Sequence, residues 1–324
     1  MKKLMLFLVV LIALLVMVVI RGSNESFVHY VDRPFGIVEI EDYMGIKEIG
    51  MHPRRIITLD LGSLDALGYF GIGVVGVPLN DNLPMHLRHF NNDNVINVGS
   101  QNSLDFYAIR ETEPDIIFIS ERHEEWYDEL SAFSDVVRVH EGDDYFEAVE
   151  ANLINIGLIF GLEERVEETI DYLRDGILDV HDLVVDGGYT ALLAMVDGDE
   201  IHVFGPNSRY DVIYNDFGFE GVTESEANSI VEYIVDVDPD FLFVIDRGEA
   251  FGNEGTARLI LDELLFSEAE ANFNERTIFL YSNAWYMAQG GVNTTRIMIT
   301  EMRAAVGSFD FGEVNMDLDI GIEE

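Results

Sequence analysis

One short pattern occurs twice in this chain and fixes much of what it can fold into. Pro114-Asp115-Ile-Ile-Phe118-Ile-Ser-Glu-Arg122 and Pro239-Asp240-Phe-Leu-Phe243-Val-Ile-Asp-Arg247 share a Pro-Asp start, an apolar run and an arginine at the same spacing. Each run is apolar at successive positions, which suits a parallel strand buried on both faces, not a half-exposed one. Each arginine then falls just past the carboxyl end of its strand, where open α/β sheets bind ligands. Two similar halves, each offering one arginine at such an edge, predict two lobes closing on an anion. A chain of 324 residues can supply both lobes with cores of their own.

The rest of the chain fits that plan. Residues 22–50 read as a lead-in with a short hairpin around 35–40. Strands are predicted at 55–59, 74–77 and 136–139, and helices at 61–69, 106–112 and 126–133, on either side of the first Pro-Asp strand. Strand and helix alternating at this spacing indicate parallel, helix-covered sheets. From 145 to 185 the pattern is helical throughout, and its second half reads as a helix crossing from one lobe to the other. A hairpin around Asp197-Gly198 joins strands at 189–196 and 201–204. A helix near 210–217, a segment at 230–235, the second Pro-Asp strand, a helix at 257–265, a strand at 277–280 and a helix at 292–305 follow. The domain reading is a signal or membrane anchor at 1–24, a first lobe at 25–160, a linking helix at 161–187, a second lobe at 188–306 and an acidic tail at 307–324.

The net charge of −42 argues against nucleic acid as a partner, because phosphate contacts need clustered Lys and Arg. The only lysines are Lys2, Lys3 and Lys47, so convergent arginines stand out. Such an acidic, lysine-poor surface is one response to high salt, where screening weakens self-repulsion. The absence of cysteine excludes disulfides, thiolate metal sites and a cysteine nucleophile. Lys2-Lys3 followed by an apolar run over 4–20 reads as a targeting segment that exports the remainder. It is taken as an uncleaved anchor, the protein being secreted if it is cleaved.

Several texts that look like motifs are set aside. Gly71-Ile-Gly73-Val-Val-Gly76 spells a dinucleotide fingerprint, but here the glycines follow a helix and open a strand. His86 and His89 lie three apart in a loop and do not form a metal-ligand pattern on a helix face. His123, beside Arg122, reads as a surface histidine. No serine-hydrolase, phosphate-loop or zinc-protease signature occurs. Two further segments carry candidate function: Arg209 after a Gly-Pro turn, and Trp285-Tyr286 between a strand and the pair Gly290-Gly291. Arg209 is either a cleft cation or a surface charge, and the two aromatics either line a cleft or pack in the core.

With those residues in view, the exported part resembles a substrate-binding protein of iron–siderophore ABC importers, of the catecholate type. The matching stretches are 55–78, 97–122, 204–219, 229–247 and 280–291. The resemblance implies two α/β lobes joined by one long helix, with a ferric siderophore as transported ligand, no permanent cofactor and no catalysis. It places Arg122, Arg209 and Arg247 against the ferric catecholate, and Tyr286, with Trp285, at the cleft edge. Three arginines would neutralise a trianionic tris-catecholate without losing protons, and aromatic walls suit catechol rings.

Three departures from the family pattern bear on function. Relatives with a histidine between 219 and 230 complete iron coordination with it and a tyrosine, and the short loop here has none. That favours a ligand that saturates iron by itself, with Tyr286 as a conditional iron ligand. The family's lipid-anchoring cysteine is missing, so attachment falls to the apolar N-terminus. Docking on the permease uses one acid per lobe: Glu232 fits the second, while the first-lobe position holds Tyr107, with Asp105 the nearest substitute. The alternatives are a haem- or cobalamin-binding protein of the same class, and an exported two-lobed enzyme acting on an anion.

Overall fold

Why the Pro-Asp strands are apolar throughout is visible in what lies on each side of them. The computed structural model describes residues 36–79, 83–142, 144–222, 227–228, 233–234, 237–265 and 277–307. It opens with an antiparallel hairpin, β1 (Ile37–Asp42) and β2 (Gly45–Gly50), longer than the one expected. Asp42 closes its turn, accepting from the Met44 amide at 2.9 Å and holding the Lys47 ammonium at 2.6 Å.

Next come β3 (Ile56–Thr58), α1 (Leu61–Tyr69), β4 (Gly76–Val77), β5 (Ile96–Asn97) and a small hairpin of β6 (Gly99–Ser100) with β7 (Ser103–Leu104). They are followed by α2 (Phe106–Glu111), β8 (Ile116–Ile119), α3 (Tyr127–Ser131) and β9 (Asp135–Arg138). The first sheet runs β5-β4-β3-β8-β9, all parallel. Along β8, Ile116 and Phe118 enter the central core while Ile117 and Ile119 enter a separate cluster with Leu130 and Val136. Both faces are covered, so the alternation of a half-exposed strand has no place here.

The connection between the lobes is α4 (Tyr145–Phe160) followed by α5 (Glu163–Gly187). Gly161, at φ 68°, ends α4 in the left-handed region, where a side chain would cost about 1 kcal/mol. The 25 residues of α5 extend about 37 Å at the usual rise, enough to reach from one lobe to the other. Its buried stripe, Val166, Ile170, Leu173, Ile177, Val180 and Val184, keeps helical spacing and packs on α4 and on the last helix of the chain. Burying each such side chain stabilises the fold by roughly 1.5–3 kcal/mol.

The second sheet is built from β10 (Thr190–Asp197), β11 (Glu200–Phe204), β12 (Glu220–Gly221), β13 (Ala227–Asn228), β14 (Phe241–Asp246) and, after α6 (Arg247–Ala250) and α7 (Ala257–Leu265), β15 (Thr277–Phe279). Its order is β13-β11-β10-β14-β15, with β12 also on β10; β10, β14 and β15 run parallel and β11 antiparallel. On β14, Phe241, Phe243 and Ile245 face the central core, while Leu242 and Val244 face a second cluster with Ala257 and Leu261. The second Pro-Asp strand thus repeats the logic of the first.

Two helices close the described chain, the short α8 (Ser282–Met287) and the 16-residue α9 (Val292–Gly307). Asp65 of α1 accepts from the Thr294 amide at 2.7 Å and from Asn293 Nδ2 at 2.8 Å, placing a carboxylate on the N-terminus of α9. Nearby, a Cβ on Gly62 would come within 2.2 Å of the Gln289 carbonyl oxygen, so only glycine allows this approach. Helix α1 of the first lobe is thereby joined to the start of α9.

The expected helix near 210–217 is only a turn, Asp211–Ile213. The Asp211 carboxylate accepts from the Asn207 amide and from Asn215 Nδ2, and Phe217 closes back on Val212 ahead of Gly218 at φ 79°. These local bonds compete with a continued helix. Helices α6 and α8, by contrast, had no sequence expectation. The segment 1–24, the tail beyond Gly307 and Glu232 lie outside the described residues. Among the described residues, no helix is long and apolar enough to cross a membrane.

Candidate functional site: an arginine-bearing cleft

The Pro-Asp pairs tie each apolar strand to its neighbour at the amino end. Asp115 Oδ2 accepts from the Arg54 and Arg55 amides at 2.8 and 2.9 Å, at the start of β3. Asp240 Oδ2 accepts from the Thr190 amide and hydroxyl at 3.0 and 2.9 Å, at the start of β10. At the carboxyl end each strand runs into a capped helical turn that carries the arginine. Asp246 is buried and accepts from the amides of Glu249, Thr256 and Ala257 at 3.0, 2.6 and 2.7 Å, which fixes the turn bearing Arg247. Ser120 begins the turn Glu121–Trp126, bonded to His123 Nδ1 at 3.0 Å, while His123 Nε2 donates to the Gln101 carbonyl at 3.1 Å.

His123 is therefore not at the surface. It is fully buried, and burial, followed by the charge of adjacent Arg122, lowers its pKa to about 4. A neutral imidazole holds the turn and lets Arg122 project outward.

A cavity of about 660 Å³ takes in Arg122 from the first lobe and Arg209 and Tyr286 from the second. Arg209 donates to the Tyr286 carbonyl at 3.1 Å and to Gln289 Oε1 at 3.4 Å, with its guanidinium 5.0 Å from the ring centroids of both Tyr210 and Tyr286. Neither Arg122 nor Arg209 is ion-paired among the described residues. Two uncompensated guanidinium groups, one per lobe, face the same space. That arrangement can hold an anion by charge-assisted, forked hydrogen bonds.

Arg247 is placed differently. Its Nη1 donates to both carboxylate oxygens of Asp197, at 3.1 and 2.9 Å, and its Nε donates to the Tyr286 hydroxyl at 3.0 Å. It does not line the cavity. Trp285 corrects the aromatic-wall expectation: it is fully buried, and its indole N–H donates to Glu301 Oε2 at 2.7 Å. Burial raises the Glu301 carboxyl to about 7. Trp285 is core, and Tyr286 alone of the pair reaches the cavity.

Carboxylates also line the cavity. Burial pushes Asp60 and Glu141 up, opposed by hydrogen bonds from Ser63 to the first and from the Glu121 amide to the second; each also feels Arg138. Arg138 is nearly fully buried and occupied by Glu141 at 2.8 Å and by the Tyr43 ring at 4.2 Å, so it is structural.

The remaining candidates are dispersed. His86 Nε2 lies 3.8 Å from Asp65 and His89 bonds to the His86 carbonyl; among the described residues no group of His, Asp and Glu could hold a metal ion. Asp105 is exposed and caps α2 through the Ala108 amide, and Tyr107 beside it is 75 % exposed.

The sequence profile described as periplasmic binding protein matches residues 58–283. The chain belongs to that family. The petrobactin-binding protein YclQ of Bacillus subtilis is 32% identical over 274 residues, covering 81% of this chain and 85% of the relative. The YclQ crystal structure superposes with a TM-score of 0.78 at 29% identity, over 83% of this chain and 98% of that one. The periplasmic catecholate-siderophore binding protein VctP of Vibrio cholerae gives 0.75 at 28%, over 83% and 99%. The two-lobed α/β fold expected from the repeat is the fold of these binding proteins. As a periplasmic binding protein, the chain holds its cavity where the strand ends of the first lobe meet the turns carrying Arg209 and Tyr286. Asp197 and Asp246, which place Arg247, were not singled out in the sequence; the one available signal was that Asp246 directly precedes Arg247 in the repeat.

Proposed function

We propose that this protein captures a ferric siderophore, of the catecholate type, and delivers it to an ABC permease without performing chemistry on it. The observation that carries the reading is the pair Arg122 and Arg209, from different lobes and uncompensated among the described residues, on one cavity that Tyr286 also lines. A ferric tris-catecholate carries three negative charges on a rigid aromatic shell. Guanidinium groups match its oxygens, and the Tyr286 ring offers a face for a catechol. The names of YclQ and VctP, as petrobactin- and catecholate-siderophore-binding proteins, point the same way.

Arg247 is the third arginine of the reading, reached through Tyr286 rather than through the cavity wall. Tyr286 acts as a contact for a ligand that saturates iron and as an iron ligand only when a coordination position is open. The N-terminal segment anchors the protein outside the cytoplasm, and Glu232 with Asp105 forms the docking pair for the permease.

The test is a fluorescence titration with ferric tris-catecholates, haem and cobalamin. The reading requires that the catecholates bind with the highest affinity. Tight binding of haem or cobalamin with no response to any ferric catecholate would replace it.

A further inference from the structure

Three arginines come from equivalent or facing turns, yet one is already bound to a carboxylate. Arg247 gives one nitrogen to both oxygens of Asp197 and another to the Tyr286 hydroxyl. Asp197 ends β10, next to the Asp197-Gly198 turn, whose Gly198 carbonyl accepts from the Thr256 hydroxyl at 3.3 Å. The nearer acid in sequence, Asp246, is spent on three backbone amides and cannot serve as the counter-ion. Arg247 is therefore held beside the hairpin and off the cavity wall, whereas Arg122 and Arg209 line it.

We propose that Asp197 is a built-in competitor for the anionic ligand: it holds Arg247 off the cavity wall and is exchanged for the ligand when the guanidinium turns inward. This rests on the anion-binding reading above. The side chains of Arg247 and Asp197 are 38% and 42% exposed, so water screens the pair and exchange is inexpensive. A neutral ligand has nothing to offer Arg247 and leaves the pair closed. A multiply charged anion gains the guanidinium but also meets the displaced carboxylate. Asp197 thus lowers affinity in proportion to ligand charge, and it keeps a highly charged ligand from being held too tightly to release.

The experiment compares wild type with Asp197→Asn, of nearly the same shape, and with Asp197→Ala as a second probe, against ferric tris-catecholate and a neutral ferric tris-hydroxamate. Removing the carboxylate tightens the tris-catecholate by about fivefold, the scale of an exposed ion pair. The gain shrinks as salt rises and disappears in an Arg247→Ala background, and the neutral chelate is indifferent. Tris-catecholate binding that is unchanged or weaker in both variants, or an equal gain for the neutral chelate, overturns the proposal. Wild type that binds no ferric catecholate in the same titration removes the functional reading itself, and this inference with it.

Discussion

The Arg247 guanidinium lies 2.9 Å from a carboxylate oxygen of Asp197, on the neighbouring strand of the second sheet and 50 residues earlier in the chain. That contact divides three similar-looking arginines into two that line the cavity with no ion pair among the described residues and one that is paired with a carboxylate. It also orders what their replacement does.

Replacing Arg122 or Arg209 with alanine weakens ferric tris-catecholate binding by about 1.5–3 kcal/mol each, the range for hydrogen bonds to charged groups. Lysine restores only part, since it lacks the planar fork. Arg247→Ala costs less than either, because the wild-type ligand must first displace Asp197. Isothermal titration of the three variants gives the order directly, and a larger loss at Arg247 than at Arg209 speaks against it.

Trp285→Phe separates core from cleft. The indole N–H that reaches Glu301 is lost, leaving a buried carboxyl short of a donor, at a cost of about 1–3 kcal/mol. Thermal unfolding shows the loss while ligand affinity stays within about twofold, well under the 1.4 kcal/mol of a tenfold change. An affinity loss without a stability loss would return Trp285 to the cleft.

How much of this was legible beforehand varies with the range of the interactions involved. The Pro-Asp strands could be read because burial on both faces leaves a mark at every position, and the 25-residue linking helix because its apolar stripe is long. Arg122 could be put at a strand end from the repeat, whereas the Gly-Pro turn before Arg209 left open a cleft cation or a surface charge; both side chains line the cavity. The Asp197 pairing could not, since adjacency of β10 and β14 is a property of the sheet. Trp285 and Tyr286 are neighbours in sequence yet point to core and cavity, a choice made when Ser282–Met287 turns helical. His123 looked superficial beside Arg122 because the carbonyl that buries it, from Gln101, belongs to a different segment. The turn at 211–213 was misread as a helix because Asp211's side-chain bonds are not visible in apolar spacing.

Asp216 gives the fold a pH dependence. Burial, followed by the charge of Asp144, raises its carboxyl from 3.8 to about 7, and among the described residues its Oδ2 has no hydrogen-bond partner. The native state therefore keeps a proton that the unfolded chain releases earlier. The resulting stability is present in full below the unfolded value and is lost as pH rises through about 7, with no further change above. Glu301, raised to about the same value by burial, has the same sign. Asp216→Asn removes its share, so melting temperature falls less between about pH 4 and pH 7 than in wild type. An unchanged slope would mean that Asp216 titrates normally.

The docking role proposed for Glu232 is tested apart from ligand binding. A charge used to register a partner leaves the ligand cavity alone. Glu232→Ala keeps ligand affinity but reduces uptake in vesicles containing the permease. With an exposed Tyr107 at the first-lobe position, Asp105→Ala gives the smaller transport defect and also loses the α2 cap, worth about 1 kcal/mol. Full uptake by Glu232→Ala would remove the docking role.

The most direct test of the account is a crystal structure of the protein with a ferric tris-catecholate. The account predicts the chelate in the cavity between the lobes, with the Arg122 and Arg209 guanidinium groups donating to catecholate oxygens at about 2.7–2.9 Å and a catechol against Tyr286. A chelate bound elsewhere, or seated in the cavity with both arginines turned away from it, would contradict the account.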